Sequence, residues 1–290
     1  MLLSATVSGL VAFNCKVISR LEFLSLRGLS AFVSANEGAT DRAVLGSHRG
    51  VHNSAVPANS AKGIRLAARH GFSVVEIDVV FSRGLVPVVY HDLTFDRLGH
   101  ISKRVDETDW REIRTLALKD GQSIMDVATF AALLAPSFEG IYFDIKGEGL
   151  ADRKATAFID ALRGIDPATS RVHVIGGDYE ILRAIERRAS ELYTGCEDRG
   201  VLYALWAGHD LVSVHYPREY SRLQGSLAGK LGLGVLTWTI NDWTSSTSIA
   251  INRLRSSQTC RIHSHRRCWS KAGACKHDQG RSHDVLFLGA

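Results

Sequence analysis

The chain has 290 residues, 45% hydrophobic and 22% charged, the proportions of a soluble globular protein with room for one barrel-sized domain or two smaller ones. Its net charge of +5 is uneven: residues 243–290 hold eight Lys/Arg against two Asp/Glu, leaving 27 basic and 28 acidic side chains elsewhere. The near-neutral body excludes a basic nucleic-acid surface, and five irregularly spaced cysteines exclude a disulfide framework.

In chain order, MLLSATVSGLVAFNCK opens residues 1–43 with an apolar run broken by polar residues. It lacks a basic start and is too short to span a bilayer, so a leading helix is expected, with an export signal ending near Ser34-Ala35 as the alternative. No other window reaches transmembrane length, and a cytoplasmic protein is the expectation. After Asp41 apolar runs and helical patterns alternate. AVLGSHRG (43–50) precedes NSAKGIRLAARHG (59–71), which has helical periodicity, Asn59 as a cap and a terminal glycine. SVVEIDVVF (73–81) and LVPVVYHD (85–92) read as two strands joined by Ser82-Arg83-Gly84. GIYFDIKG (140–147), RVHVIGG (171–177), ELYTGCED, HDLVSVHYP and LGVLTWTIND continue the series, with helices around 151–163 and in YEILRAIERR. Eight strand candidates alternating with helices predict parallel βαβ units closed as a (β/α)8, TIM-type barrel over residues 44–242.

Within this pattern, Glu76 and Asp78 lie two residues apart on one face of an apolar strand. Two like charges on a buried face are costly unless a cation lies between them, and the alternatives are a solvated rim or acids bonded to arginines. His48-Arg49, Glu76, Asp78, His91, Asp144, Lys146 and Trp238 all fall at the carboxyl ends of predicted strands, where barrels carry their chemistry.

The ordered set HRG (48–50), PANS (57–60), EID (76–78), VPVVYHDLTFDR (86–97) and FDIKG (143–147), with VSVHYP (212–217) and TWTIND (237–242), resembles the glycerophosphodiester phosphodiesterase family, within the wider phospholipase C-like superfamily. The resemblance implies metal-dependent hydrolysis of a small-molecule phosphodiester to an alcohol and glycerol phosphate. It implies Glu76, Asp78 and Asp144 as hard oxygen ligands for Mg²⁺ or Ca²⁺. Arg49 and Lys146 would hold phosphate oxygens, and Trp238 would wall the alcohol. His48 and His91 would exchange protons as base and acid, in an order left open, with a cyclic phosphate as an intermediate if the substrate's own hydroxyl attacks. His52, His70, His100 and His173 match no motif and read as ordinary histidines. Asp178 reads as a helix cap.

Three departures qualify the resemblance. Asp144 stands where the family usually has glutamate, shortening the ligand's reach by about 1.3 Å for one C–C bond of about 1.5 Å. Asp-x-Lys also resembles the sphingomyelinase D toxins, so a related phosphoryl-transfer enzyme, or a phosphodiester synthase such as agrocinopine synthase, is the rival reading. Residues 94–123 predict only a small cap with a short helix. Residues 243–290 replace the family's closing strand with a basic, Cys/His-rich stretch, which reads as a shifted frame. Rival readings are a zinc-binding tail (Cys260, His263, His265, Cys268, Cys275, His277) and a basic tag for nucleic acid or membrane. Without a last strand the barrel would be unclosed and a decayed, non-catalytic barrel follows, unless VLFLG (285–289) closes it.

Overall fold

The computed structural model describes residues 44–99, 103–197, 199–215, 227–228, 231–240 and 285–288. The expectations for the N-terminal 43 residues, for His100 and for the six zinc-ligand candidates lie outside them.

Eight parallel strands form the wall: β1 (Val44–His48), β2 (Val74–Phe81), β4 (Gly140–Ile145), β5 (Arg171–Gly176), β6 (Tyr193–Glu197), β7 (Leu211–His215), β8 (Gly234–Ile240) and β9 (Val285–Leu288). The ring closes because β1 pairs with both β2 and β9, and β9 pairs with β8 across a seam whose register shifts between Thr237 and Ile240. VLFL therefore stands in the last-strand position, within the stretch that composition set apart as a tail.

One strand expectation needs correction. LVPVVYHD is not a wall strand: only β3 (Pro87–Val89) is extended, and it pairs antiparallel with the end of β2 through Val79–Val89 and Phe81–Pro87. The connection through Ser82–Gly84 is short enough for a hairpin and far too short for a parallel crossover. The eighth wall strand is β9 instead.

Alternation along β2 sorts its side chains between two cores, and all eight residues are buried. Val75, Ile77 and Val79 pack outward against helices, including Ile64 and Ala67 of α1 (Ala61–Arg69). Val74 packs inside the barrel with Tyr142, Ile175, Leu211 and Leu236. Glu76 and Asp78 share Val74's face, so the alternation that buries the valines carries the acids inward.

The small cap after β3 has its own core of Val80, Val88, Tyr90, Phe95, Val105, Ile113, Leu118 and Ile124. Its short helix, α2, spans Trp110–Ile113. The remaining described helices are α3 (Val127–Leu133), α4 (Ala151–Ala161), α5 (Tyr179–Arg188) and α6 (Val201–Ala207). Asp178 caps α5 as expected, accepting from the amides of Glu180 at 2.8 Å and Ile181 at 3.3 Å. Among the described residues no helix is long and apolar enough to cross a membrane.

Candidate active site

Register places the acids at one end of the barrel. Asp78 pairs with Asp144 across the β2–β4 ladder, and His48 pairs with Glu76 across β1–β2. Glu76, Asp78 and Asp144 are buried, at 2%, 0% and 4% exposure, and one oxygen from each lies within 4.8 Å of the others.

Each carboxylate divides its two oxygens in the same way. Glu76 Oε2 accepts the backbone N–H of Arg49 at 3.1 Å and lies 3.7 Å from His48 Nε2. Asp78 Oδ2 accepts the Asn59 Nδ2 amide at 2.8 Å and meets Arg49 Nε at 2.8 Å, an ion pair rather than a directed hydrogen bond. Asp144 Oδ2 accepts from Lys146 Nζ. The remaining atoms, Glu76 Oε1, Asp78 Oδ1 and Asp144 Oδ1, are buried without a hydrogen-bond donor. Three clustered carboxylates, each with one hard oxygen that no protein donor satisfies, fit a divalent cation.

The electrostatics follow from that crowding. Burial, then the neighbouring Asp78 charge, raises the Glu76 carboxyl well above its usual range. Burial, then Glu197, does the same to Asp144. Burial alone would lower the Lys146 ammonium, but Asp144, Glu197 and Asp78 outweigh it and raise it above its ordinary value. Nζ lies 3.7 Å from Asp78 Oδ1 and 3.6 Å from Glu197 Oε2. His48 is driven the other way, to about 2, first by burial and then by Arg49, so its imidazole is neutral at physiological pH.

The other expected residues surround this cluster. The Trp238 ring stacks on His48 with centroids 6.2 Å apart, and its Nε1–H donates to Ser213 Oγ at 2.8 Å. His91 follows β3 at the rim, a third of its side chain exposed, with Nδ1 2.6 Å from Asp92 Oδ1. Arg97 Nε holds the second oxygen of Asp92 at 2.8 Å. His91, Asp92, Leu93, Arg97 and Lys146 line an open cavity of about 600 Å³.

Three partners escaped the sequence reading. Asn59 is no helix cap: the Ser60 side chain takes that role by accepting from Gly63 N at 3.0 Å, and α1 begins one residue later, so Asn59 is free to reach Asp78. Glu197 ends β6 facing Lys146, and its place at a strand's carboxyl end was the signal that could have found it. Ser213 is an ordinary buried serine in sequence and gains meaning only beside Trp238. His173 lies apart from the site, sandwiched inside the barrel between Tyr142 at 4.2 Å and Tyr193 at 5.0 Å.

The sequence model of the Glycerophosphoryl diester phosphodiesterase family matches residues 48–164. The chain is 31% identical over 147 residues to a probable glycerophosphodiester phosphodiesterase 2 of Mycobacterium tuberculosis, covering 51% of this chain and 52% of that protein. It is 52% identical over 54 residues to a glycerophosphocholine phosphodiesterase of Rattus norvegicus, covering 16% of this chain and 8% of that protein. The chain thus spans about half, or less, of the length of these curated relatives. Its fold is similar to that of a glycerophosphodiester phosphodiesterase from Parabacteroides distasonis, at a TM-score of 0.66 and 15% identity over 86% of this chain and 94% of the other. It is equally similar, at 0.66 and 19% identity over 84% and 92%, to an Oleispira antarctica phosphodiesterase solved with the product sn-glycerol-3-phosphate. The segment that the family model matches holds all three clustered carboxylates, His48 and His91, and the basic Arg49 and Lys146.

Proposed function

We propose that this site hydrolyses glycerophosphodiesters to an alcohol and glycerol phosphate. One observation carries the reading: three clustered, buried carboxylates each keep one oxygen without a hydrogen-bond donor, beside a neutral histidine and two cations. Glu76, Asp78 and Asp144 would hold Mg²⁺ or Ca²⁺ there, and the chemistry such an ion supplies is neutralisation of charge on the nonbridging phosphoryl oxygens.

The chain's own groups divide the remaining work. Arg49 and Lys146 orient the phosphate by charge and hydrogen bonding. His48, neutral because it is buried beside cations, accepts a proton at Nε2 from the attacking hydroxyl. The Trp238 face restrains that imidazole and borders the alcohol. His91 keeps Nδ1 on the Asp92 carboxylate, which leaves Nε2–H to protonate the departing alkoxide. If the substrate's neighbouring hydroxyl attacks, its oxygen bonds to phosphorus, the phosphorus–alkoxide bond breaks, and a cyclic phosphate results. Water then opens the ring with the two histidines exchanging roles.

Phosphorus NMR of the purified protein with glycerophosphocholine, in Mg²⁺, in Ca²⁺ and in chelator, tests the proposal. Metal-dependent glycerol phosphate or its cyclic form, absent in His48→Ala, is the expected result. His91→Ala should lose about 10²- to 10⁴-fold on that substrate and far less on a nitrophenyl ester, whose leaving group needs no acid. No turnover by folded protein would overturn the proposal. Transfer of the phosphoryl group to an added alcohol in place of water would favour the synthase-like relatives instead.

A further inference from the structure

The arrangement of Asp78 depends on a residue outside the acidic cluster. We propose that Asn59 is a positioning residue for it: the Asn59 carboxamide fixes which Asp78 oxygen faces Glu76 and Asp144. The inference rests on the reading of those carboxylates as a divalent-cation site.

Asn59 is 3% exposed and grips Asp78 twice. Its Nδ2–H donates to Asp78 Oδ2 at 2.8 Å, and its Oδ1 accepts the Asp78 backbone N–H at 3.3 Å. The two partners assign the amide: a carboxylate requires the NH₂ end and a backbone N–H requires the oxygen. A carboxamide supplies donor and acceptor together on a short stem. Aspartate lacks the donor, and serine lacks the reach to both. With Oδ2 held this way, Oδ1 is the atom that remains for the cluster.

The backbone explains why asparagine stands here. Asn59 has φ 59°, in the left-handed region where asparagine is among the best tolerated residues other than glycine. Its N–H donates to Arg49 O at 2.9 Å, and Val51 N–H donates to Gly63 O at 3.0 Å, so the loop from β1 is tied against the start of α1. Ser60 supplies the helix cap. Neighbouring residues thus have separable jobs: Ser60 stabilises the helix, while Asn59 aims a carboxylate.

That separation makes the test. Asn59→Gly deletes the carboxamide while suiting the left-handed backbone, and Ser60→Ala deletes only the cap. Calorimetric titration of full-length wild type and both variants with Mg²⁺ and with Ca²⁺ should show about 10- to 100-fold weaker binding for Asn59→Gly, the range for lost partners of metal-ligating groups. Ser60→Ala should lower the thermal midpoint and leave cation affinity unchanged. If the glycine variant does not fold, Asn59→Ala titrated in the cold should show the same weakening. Cation affinity within twofold of wild type in the folded Asn59 variant would overturn the inference alone. Wild-type protein that binds neither cation would overturn the inference together with the cation reading.

Discussion

Replacing Lys146 by methionine keeps the length and apolar stem but removes the ammonium that pairs with Asp144, Asp78 and Glu197. Removing one partner of a buried ion pair typically costs about 3–5 kcal/mol, because the other charge remains buried and uncompensated. Two features reduce that here. The Lys146 side chain keeps 23% exposure, which lets solvent screen the lost contact. Asp144, already held above the usual carboxylate range by burial and Glu197, can take a proton in place of the lysine. The cost should therefore sit near the low end, about 3 kcal/mol at pH 8, and shrink at pH 5 where protonation is easier. For a chain of this length about 2 °C of melting temperature accompanies each kcal/mol, so a fall of about 6 °C is expected at pH 8. Thermal denaturation of chelator-treated Lys146→Met and wild type at both pH values measures it. A melting temperature equal to wild type at pH 8, or an identical loss at both pH values, would refute the claim that this lysine carries the charge balance of the site.

Three further outcomes follow from specific contacts. Gly50 has φ 74°, and a Cβ there would lie 2.8 Å from the Gly63 carbonyl carbon and the Ile64 nitrogen; Gly50→Ala should displace the Arg49 loop, costing about 2–4 kcal/mol and most activity, read by urea titration and turnover. Ending the chain at residue 284 removes β9 and bares an edge of both β1 and β8; self-association in sedimentation is expected, and a monomer with wild-type melting would contradict it. The raised carboxyls of Glu76 and Asp144 mean the cation-free native state holds protons that the unfolded chain has released, so its stability contribution falls as pH rises through their raised values. A cation must displace those protons, so affinity should grow with pH by about tenfold per unit for each proton released; titration in two buffers of different ionisation heat counts them.

Much of the barrel and its acids could be read from periodicity alone. VVEIDVVF announces a buried strand, and its period of two puts Glu76 and Asp78 on one face whatever surrounds them. The failures came where a local pattern fits two structures. PVV is apolar and β-prone in either a wall strand or a hairpin arm, and only the short five-residue connection, residues 82–86, separates them. Asn59 and Ser60 are both good cap residues by type, and the choice depends on whether Asp78 lies within reach. Glu197 follows an apolar strand as many rim acids do, and nothing beside it in sequence signals Lys146, fifty-one positions earlier.

By itself the sequence determined which side chains share a strand face and which polar side chains fall at strand ends, because these depend on spacing along one strand and on residue type. Only the tertiary structure decided which oxygen of each carboxylate is left without a donor, that Asn59 aims Asp78, and that Val285–Leu288 closes the ring. Those outcomes depend on register between strands far apart in the chain. Hydrogen-bond partners across such distances are selected by the folded geometry, and local residue pattern carries no record of them.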